Sequence, residues 1–478
     1  MKRNIILLIL DGFGISKEKY GNAILQASTP TINYLYKNSF VSTLEASGES
    51  VGLLPNSAGN SEVGHLNIGA GRIVDQYSYL IHKDILNKTF FTNRKIKEEV
   101  SKTKGEIHLM GLVSDGQVHS NMEIIESLIE SIDREKIYLD IFSDGRDSGY
   151  KSVEEYIKRL GKYKDKVIIS SIIGRFYAMD RDNREKRINK AFELLYTHKG
   201  SEVKNVFEAI EMSYKKDITD EFIEPFYIKN TPPIKDEDLV IFFNFREDRA
   251  RELSLKFLNN TNVNLLCMTQ YTNDIQNFIY PRIKVENTLG SILEKNNLSQ
   301  LRIAETEKYA HVTYFFDGGE NIVYKREKRD IIPSLKISTY DKKPQMRVFD
   351  ITKTIISNIE NFNFILANFA NPDMVGHTGS LSKTIESIEY VDKAIKEILD
   401  DLKDNILIIT ADHGNAEIML DKKGIINKSH TISKVPFIIY NYKNISVLKN
   451  GKLADIAPTI LKILDIKKPK DMSGDSLI

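Results

Sequence analysis

A single cysteine, Cys267, in 478 residues excludes an internal disulfide framework and fits a reducing compartment. Its expected place is that of a small buried side chain. Neither sign of charge dominates: 67 basic residues stand against 66 acidic ones, a formal net of +1. No global field draws such a chain to nucleic acid or to an anionic membrane, so anion recognition has to be local. No run approaches the ~18 apolar residues of a transmembrane helix. The N-terminus imitates a signal peptide, because Lys2 and Arg3 precede the apolar run Ile5–Leu10. That run is short, stops at Asp11 and is followed by no small-residue cleavage site, so it reads as a buried strand. Low-complexity segments and short-period repeats are missing too. The expectation is a soluble cytoplasmic protein with no nucleic-acid or membrane partner.

What is present is alternation. Strand-like apolar runs exchange with helix-period segments over most of the length, which predicts an α/β architecture with largely parallel sheets. Ile5–Leu10, Phe364–Phe369 and Ile406–Thr410 are continuous apolar runs, as strands buried on both faces require. Each is followed within a few residues by an acid: Asp11, Asp373 and Asp412. Between the last two runs Ile385, Ile388, Val391, Ile395, Ile398 and Leu402 mark one helix face, completing a βαβ order. A final run, Val435–Tyr440, follows His430. Ligands in open α/β sheets bind beyond the carboxyl ends of the strands. There the loops hold Asp11-Gly12, Asp373-Met374-Val375-Gly376-His377, Asp412-His413-Gly414 and His430. Carboxylates mixed with imidazoles suit a pair of divalent ions better than a structural zinc, and point to metal-assisted phosphoryl chemistry.

The middle of the chain repeats the logic with other chemistry. Ile107–Val113, Ile137–Phe142, Val167–Ile173 and Leu239–Phe243 read as four more buried strands. After them come Asp115-Gly116 with His119, then Asp144-Gly145-Arg146-Asp147, Gly174-Arg175 with Arg181, and Arg246 with Arg249. Five arginines and a histidine at strand ends make an anion pocket, suited to phosphate and carboxylate through forked hydrogen bonds. The simplest arrangement is a metal-binding α/β domain, 1–75 and 284–478, interrupted by an anion-binding α/β domain, 76–283. The crossings fall near Arg72–Gln76 and Pro281–Glu286 and are expected to hinge when substrate binds.

Taken singly, each motif has a bland reading. Loop carboxylates are common, and the usual fate of an arginine is a surface ion pair. His82, His108 and His198 read as surface or satisfied core groups; His65 and His311 lie near the motifs without a forced role. In the polar loop Asn56–His65 a serine can be a helix cap or a nucleophile. Sequence physics does not choose between Ser57 and Ser61. Lys308 reads as a solvated charge.

Together, however, the segments closely resemble the cofactor-independent phosphoglycerate mutases of the alkaline phosphatase superfamily. The matching stretches begin with Leu10-Asp11-Gly12-Phe13-Gly14, Asn60-Ser61-Glu62-Val63-Gly64-His65, Leu112-Val113-Ser114-Asp115-Gly116 and Asp144-Gly145-Arg146-Asp147. They continue through Gly174-Arg175-Phe176-Tyr177-Ala178-Met179-Asp180-Arg181, Phe243-Asn244-Phe245-Arg246, Ala304-Glu305-Thr306-Glu307-Lys308-Tyr309, Asn371-Pro372-Asp373 and Ala411-Asp412-His413-Gly414-Asn415. They occur in order over essentially the whole chain. Ser148-Gly149 and Ala310 stand where that family usually has proline, and neither departure removes a chemical group.

The resemblance implies an alkaline-phosphatase-like metal domain interrupted by an inserted α/β phosphotransferase domain that binds substrate. It implies interconversion of 3-phosphoglycerate and 2-phosphoglycerate, in glycolysis and gluconeogenesis, without 2,3-bisphosphoglycerate and through a phosphoserine. One Mn(2+)-type ion would be held by Asp373, His377 and His430, the other by Asp11, Asp412, His413 and Ser61. It selects Ser61 as the nucleophile and makes Lys308 an active-site cation. The substrate would be gripped by His119, Arg146, Asp147, Arg175, Arg181, Arg246, Arg249 and Lys308, with Asp147 shuttling protons. A monomer is expected. The competing readings are a metal-dependent phosphatase or other phosphomutase of the same superfamily, and a non-catalytic phosphometabolite-binding protein.

Overall fold

Every residue of Ile5–Leu10, Phe364–Phe369 and Ile406–Thr410 is buried, and the three form adjacent parallel strands. Both faces of such strands meet helices, which is why the sequence shows unbroken apolar runs and no alternation. The register sets Leu10 beside Phe369 and Ile9 beside Thr410, so the three strands end level and the loops after them start side by side. A computed structural model describes residues 3–445 and 447–478; Lys2, half of the basic pair noted above, lies outside the described residues. The chain separates into two compact units, Met1–Gln76 with Lys284–Ile478, and Tyr77–Ile283.

In the first unit the described strands run in the order Glu327–Ile332, Gln300–Glu305, Phe364–Phe369, Ile5–Leu10, Ile406–Thr410, Val435–Tyr440, Phe40–Glu45, Gly451–Lys452. The first five are parallel, and Val435–Tyr440 runs against both of its neighbours. Helix Leu381–Asp400 links Phe364–Phe369 to Ile406–Thr410 and buries Ile388, Val391, Ile395 and Ile398 on the sheet. Leu402, just past its end, joins the same core.

The second unit is a mostly parallel sheet in the order Phe278–Tyr280, Asn264–Thr269, Leu239–Phe242, Ile107–Val113, Ile137–Ser143, Val167–Gly174, Phe226–Ile228, Ser201–Val203. Ile107–Val113 is central, and its side chains alternate between two cores. Ile107, Leu109 and Val113 pack with Ile125, Leu128 and Ile129, while Met110 and Leu112 pack with Ala191, Leu194, Leu253 and Phe257. Cys267 is buried, as a small core side chain. Both units are thus layered α/β structures. Among the described residues no helix is long and apolar enough to cross a membrane.

Candidate active site

Ser61 opens the helix Ser61–Ala70, but the capping role belongs to Asn60, whose side chain accepts the Val63 amide. The hydroxyl of Ser61 is therefore left for other partners. Its Oγ is 3.2 Å from Asp11 Oδ1, 2.9 Å from His413 Nε2 and 2.8 Å from Lys308 Nζ. Ser57 has no comparable set: its described backbone bonds lie within its own loop. Two glycines permit the close packing. Gly12 has φ +73°, and a Cβ there would lie 2.9 Å from Asp373 Cβ; at Gly64 a Cβ would meet Asp412 O at 2.5 Å.

Lys308 is buried, not solvated. Its ammonium donates to Asp11 Oδ1 and Asp373 Oδ2, both at 2.7 Å. Burial works against its charge, but Asp11, Asp373 and Asp412 outweigh it and raise its pKa. The carboxylates are held ionised in turn. Asp373 and Asp412 stay well below the usual carboxylate range despite burial, Asp373 through Lys308 and Asp412 through His413 and His65.

The imidazoles are oriented as metal ligands are. His377 Nδ1 lies 2.7 Å from the Lys428 carbonyl, His430 Nδ1 2.9 Å from that of Gly59, and His413 Nδ1 3.2 Å from that of Gly414. A ring that donates Nδ1–H to a carbonyl presents its Nε2 lone pair to the site, the usual outer support of a ligating histidine. The Nε2 atoms of His377 and His430 stand 3.0 Å apart, and lie 3.2 and 3.3 Å from Asp373 Oδ1. Asp412 Oδ2 is buried with no hydrogen-bond partner. Two trios, Asp373, His413, His430 and Asp11, His65, Asp412, bring their donor atoms within 4.8 Å of one another. An orphaned carboxylate oxygen beside converging lone pairs fits hard divalent cations.

The field of the site favours cations in general. His413 is pushed up to about 9 because Asp412, Asp11 and Asp373 overcome its burial. His413 also stands between the two trios, its Nε2 being 3.4 Å from Asp11 Oδ1 and 3.6 Å from Asp412 Oδ2.

Within the second unit the arginine group is built on Asp144. That carboxylate accepts the backbone amides of Arg146 and Asp147 and the Arg175 guanidinium at 2.7 Å. Arg175, 3% exposed, also donates to Asp147 at 2.5 Å. Arg181 donates to Asp248 at 3.0 Å, and Arg246 Nε lies 3.3 Å from the same residue. A cavity of about 250 Å³ is lined by Arg146, Arg175, Arg181, Arg187 and Arg249, with Asp180, Asp182 and Glu221 and the rings of Phe176 and Phe222. Burial and then the neighbouring Arg181, Arg175 and Arg146 lower the pKa of Arg249, and burial with Arg175 brings His119 down to about 4. Five guanidinium groups against three carboxylates leave the lining net positive, which suits an anion.

The structure thus gathers Asp11, Ser61, Lys308, Asp373, His377, Asp412, His413 and His430 in the first unit, and His119, Arg146, Asp147, Arg175, Arg181, Arg246 and Arg249 in the second. Sequence reasoning left His65 without a role. It sits one helical turn after Ser61, its Nδ1 2.9 Å from the Ser61 carbonyl and 3.2 Å from Asp412 Oδ2. That i, i+4 spacing was the signal available for it. Asn368, a buried amide in an apolar strand, links Asp11 Oδ2 at 2.7 Å to His65 Nε2 at 3.1 Å. Asp144 stands in one of the matching motifs without an assigned role, and Asp248 and Arg187 were missed, because nothing in sequence separates a pocket charge from a loop charge. Of the discounted histidines, His82 pairs with Glu123 at 2.8 Å and His108 with Asp140 at 2.8 Å, while His198 stacks on Tyr227.

The metalloenzyme superfamily model matches residues 3–468. Among curated proteins, the chain is 44% identical to a 2,3-bisphosphoglycerate-independent phosphoglycerate mutase of Metamycoplasma hominis, over 100% of both chains. It is 42% identical to the Moorella thermoacetica protein of the same name, over 100% of this chain and 99% of that one. Among solved structures, a Leishmania mexicana phosphoglycerate mutase crystallised at low cobalt concentration superposes with TM-score 0.71 at 29% identity, covering 100% of this chain and 98% of that one. Full-length identity of this order, joined to a cation-attracting carboxylate–imidazole site, makes the chain a metalloenzyme that uses divalent ions and a member of the 2,3-bisphosphoglycerate-independent phosphoglycerate mutase family.

Proposed function

We propose that the chain interconverts 3-phosphoglycerate and 2-phosphoglycerate through a phosphoserine on Ser61. The observation that carries this reading is the convergence of Lys308 Nζ, His413 Nε2 and Asp11 Oδ1 on Ser61 Oγ at 2.8, 2.9 and 3.2 Å. The ions, manganese by the family resemblance, would be held by Asp373, His377 and His430 and by Asp11, Asp412, His413 and Ser61, thiolate-free carboxylate and imidazole donors that suit several divalent metals, and would supply Lewis acidity to the phosphoryl oxygens and the serine hydroxyl.

The chain's own groups do the rest. Ser61, its hydroxyl proton released to solvent beforehand, attacks phosphorus through Oγ as the bond from phosphorus to the glycerate oxygen breaks. Lys308, already in contact with Oγ, neutralises charge on the phosphoryl oxygens. Arg146, Arg175, Arg181, Arg246 and Arg249 retain the glycerate by its carboxylate, and His119 grips it beside them. Asp147, entering protonated, gives its proton to the departing alkoxide and takes one from the neighbouring hydroxyl, which then attacks the phosphoserine and expels Ser61 Oγ. A phosphatase needs none of this retention, which is why the arginine group favours the mutase.

A coupled assay with 3-phosphoglycerate and no added bisphosphoglycerate, run before and after chelator, tests the reading. 2-Phosphoglycerate should form, activity should vanish with the chelator, and manganese should restore it better than zinc or cobalt. Inorganic phosphate as the main product would favour the phosphatase. Ser61→Ala should abolish turnover while leaving metal binding measurable. A monomer in the cytoplasm completes the reading, the lone buried cysteine being consistent with a reducing compartment. Sedimentation with and without substrate checks the first of these.

A further inference from the structure

The ring of His119 lies among Arg175, Arg246, Asp147 and Asp248 and is 3% exposed. On one side its Nε2 is 3.9 Å from Asp147 Oδ2, beyond hydrogen-bond reach, and that oxygen already accepts Arg175. On the other side Nδ1 is 3.7 Å from Asp248 Oδ1. Both of these atoms are sealed from solvent and neither has a hydrogen-bond partner. Buried polar atoms rarely stay unpaired, and a shift of under ~1 Å brings this donor and acceptor together.

The protonation state agrees. Burial, then Arg175, with a smaller push from Arg246, lowers the His119 pKa to about 4 against the opposing pull of Asp248 and Asp147. At neutral pH the ring is uncharged and carries one proton. Asp248 Oδ2 accepts Arg181 at 3.0 Å, and Oδ1 has the Arg246 Nε at 3.3 Å as an ion-pair neighbour, leaving room for the His119 Nδ1–H as a second donor to the same oxygen.

We propose that Asp248 is a positioning residue: its Oδ1 accepts Nδ1–H of His119, fixing the tautomer in which Nε2 is a hydrogen-bond acceptor for a hydroxyl of the bound acid. The same carboxylate holds the guanidinium groups of Arg181 and Arg246 in place before an anion arrives. It is an internal stand-in for the carboxylate those arginines are there to bind. This assignment rests on the reading of the arginine group as the site that retains the hydroxy acid. His119 then orients a hydroxyl and carries no charge, leaving proton transfer to Asp147.

The test is spectroscopic first. Protein labelled with 15N-histidine, with His119 resonances assigned by their loss in His119→Gln, reports the tautomer directly. The wild type should show neutral His119 protonated on Nδ1 at about pH 7. Asp248→Asn should move the population towards the Nε2-protonated form, and Asp248→Glu should largely restore the wild-type pattern. In kinetics Asp248→Asn should raise KM for phosphoglycerate and lower kcat, each about tenfold, with unchanged melting temperature. A wild-type His119 protonated on Nε2, or an Asp248→Asn spectrum like the wild type's, would overturn the proposal. The spectra do not depend on turnover. A wild type that released only inorganic phosphate would therefore defeat the mutase reading and leave the tautomer assignment standing.

Discussion

Lys308 holds two carboxylates out of water, and that makes its removal informative. Lys308→Met leaves Asp11 and Asp373 buried beside an apolar chain. Breaking a buried pair from one side costs about 3–5 kcal/mol, and losing a preorganised cation about 10²–10³-fold in kcat. Thermal unfolding after chelation should show the first and the coupled assay the second. Added divalent ion should recover stability but not rate; an unimpaired rate would remove Lys308 from the chemistry. Glu305, buried at the end of Gln300–Glu305, makes the opposite point. Burial pushes its carboxyl up to about 7 even though the Arg347 amide donates to it. The folded state therefore holds a proton that the unfolded chain has lost, and stability falls as pH rises from about 4.5 towards 7. Glu305→Gln should be more stable than wild type above pH 7, by a few kcal/mol at most, with the gain fading towards pH 4.5 in parallel melting curves. Neither residue's burial was legible, since a lone Lys or Glu in a polar motif looks solvated until the segments on top of it are known.

At the scale of elements, the helix Ser61–Ala70 ties backbone to chemistry. Asn60→Ala removes the cap and should cost about 1 kcal/mol. Because the capped turn also aims Ser61 Oγ, the fall in kcat should exceed what that loss of stability explains. Gly64→Ala would push a methyl into the Asp412 carbonyl at 2.5 Å. Overpacking of this kind costs about 1–3 kcal/mol, and isothermal titration should show weaker manganese binding as Asp412 is displaced. Unaltered affinity would mean the helix shifts without moving the ligands. The apolar strands that were predicted stand to within a residue of their expected bounds, as Ile107–Val113 and Val435–Tyr440 show, but the six-residue strands Phe40–Glu45, Asn264–Thr269 and Gln300–Glu305 were not predicted. Nor were Ser201–Val203, Phe226–Ile228 and Phe278–Tyr280, three-residue strands towards a sheet edge. Glu327–Ile332 is an edge strand of mixed charge, whose composition resembles a loop because only one side of it is paired.

At the scale of the molecule, the Tyr77–Ile283 unit has its own sheet and its own two cores. Its ends are already joined, since the Tyr77 hydroxyl donates to the Pro281 carbonyl at 3.0 Å and accepts the Ile283 amide at 3.2 Å. Expressed alone, residues 77–283 should unfold in one cooperative transition and bind phosphoglycerate weakly without metal. Calorimetry that finds no transition would show that the rest of the chain is needed to complete its core.

The sequence by itself determined that the continuous apolar runs become buried strands, because such runs have no other stable place, whereas the buried but polar strand Gln300–Glu305 was not readable. It also determined which loops carry acids, imidazoles and arginines, and its motifs pointed to the family. Tertiary structure decided how those groups behave. Level strand ends bring residues as distant as Asp11, Lys308 and Asp412 into one buried space. Burial then turns Lys308 from a solvated charge into a counter-ion, hands the cap to Asn60 so that the Ser61 hydroxyl is left for other partners, and sets His65 behind Ser61. Charge and hydrogen bonding depend on distance and on the loss of water, and neither is written in the order of residues.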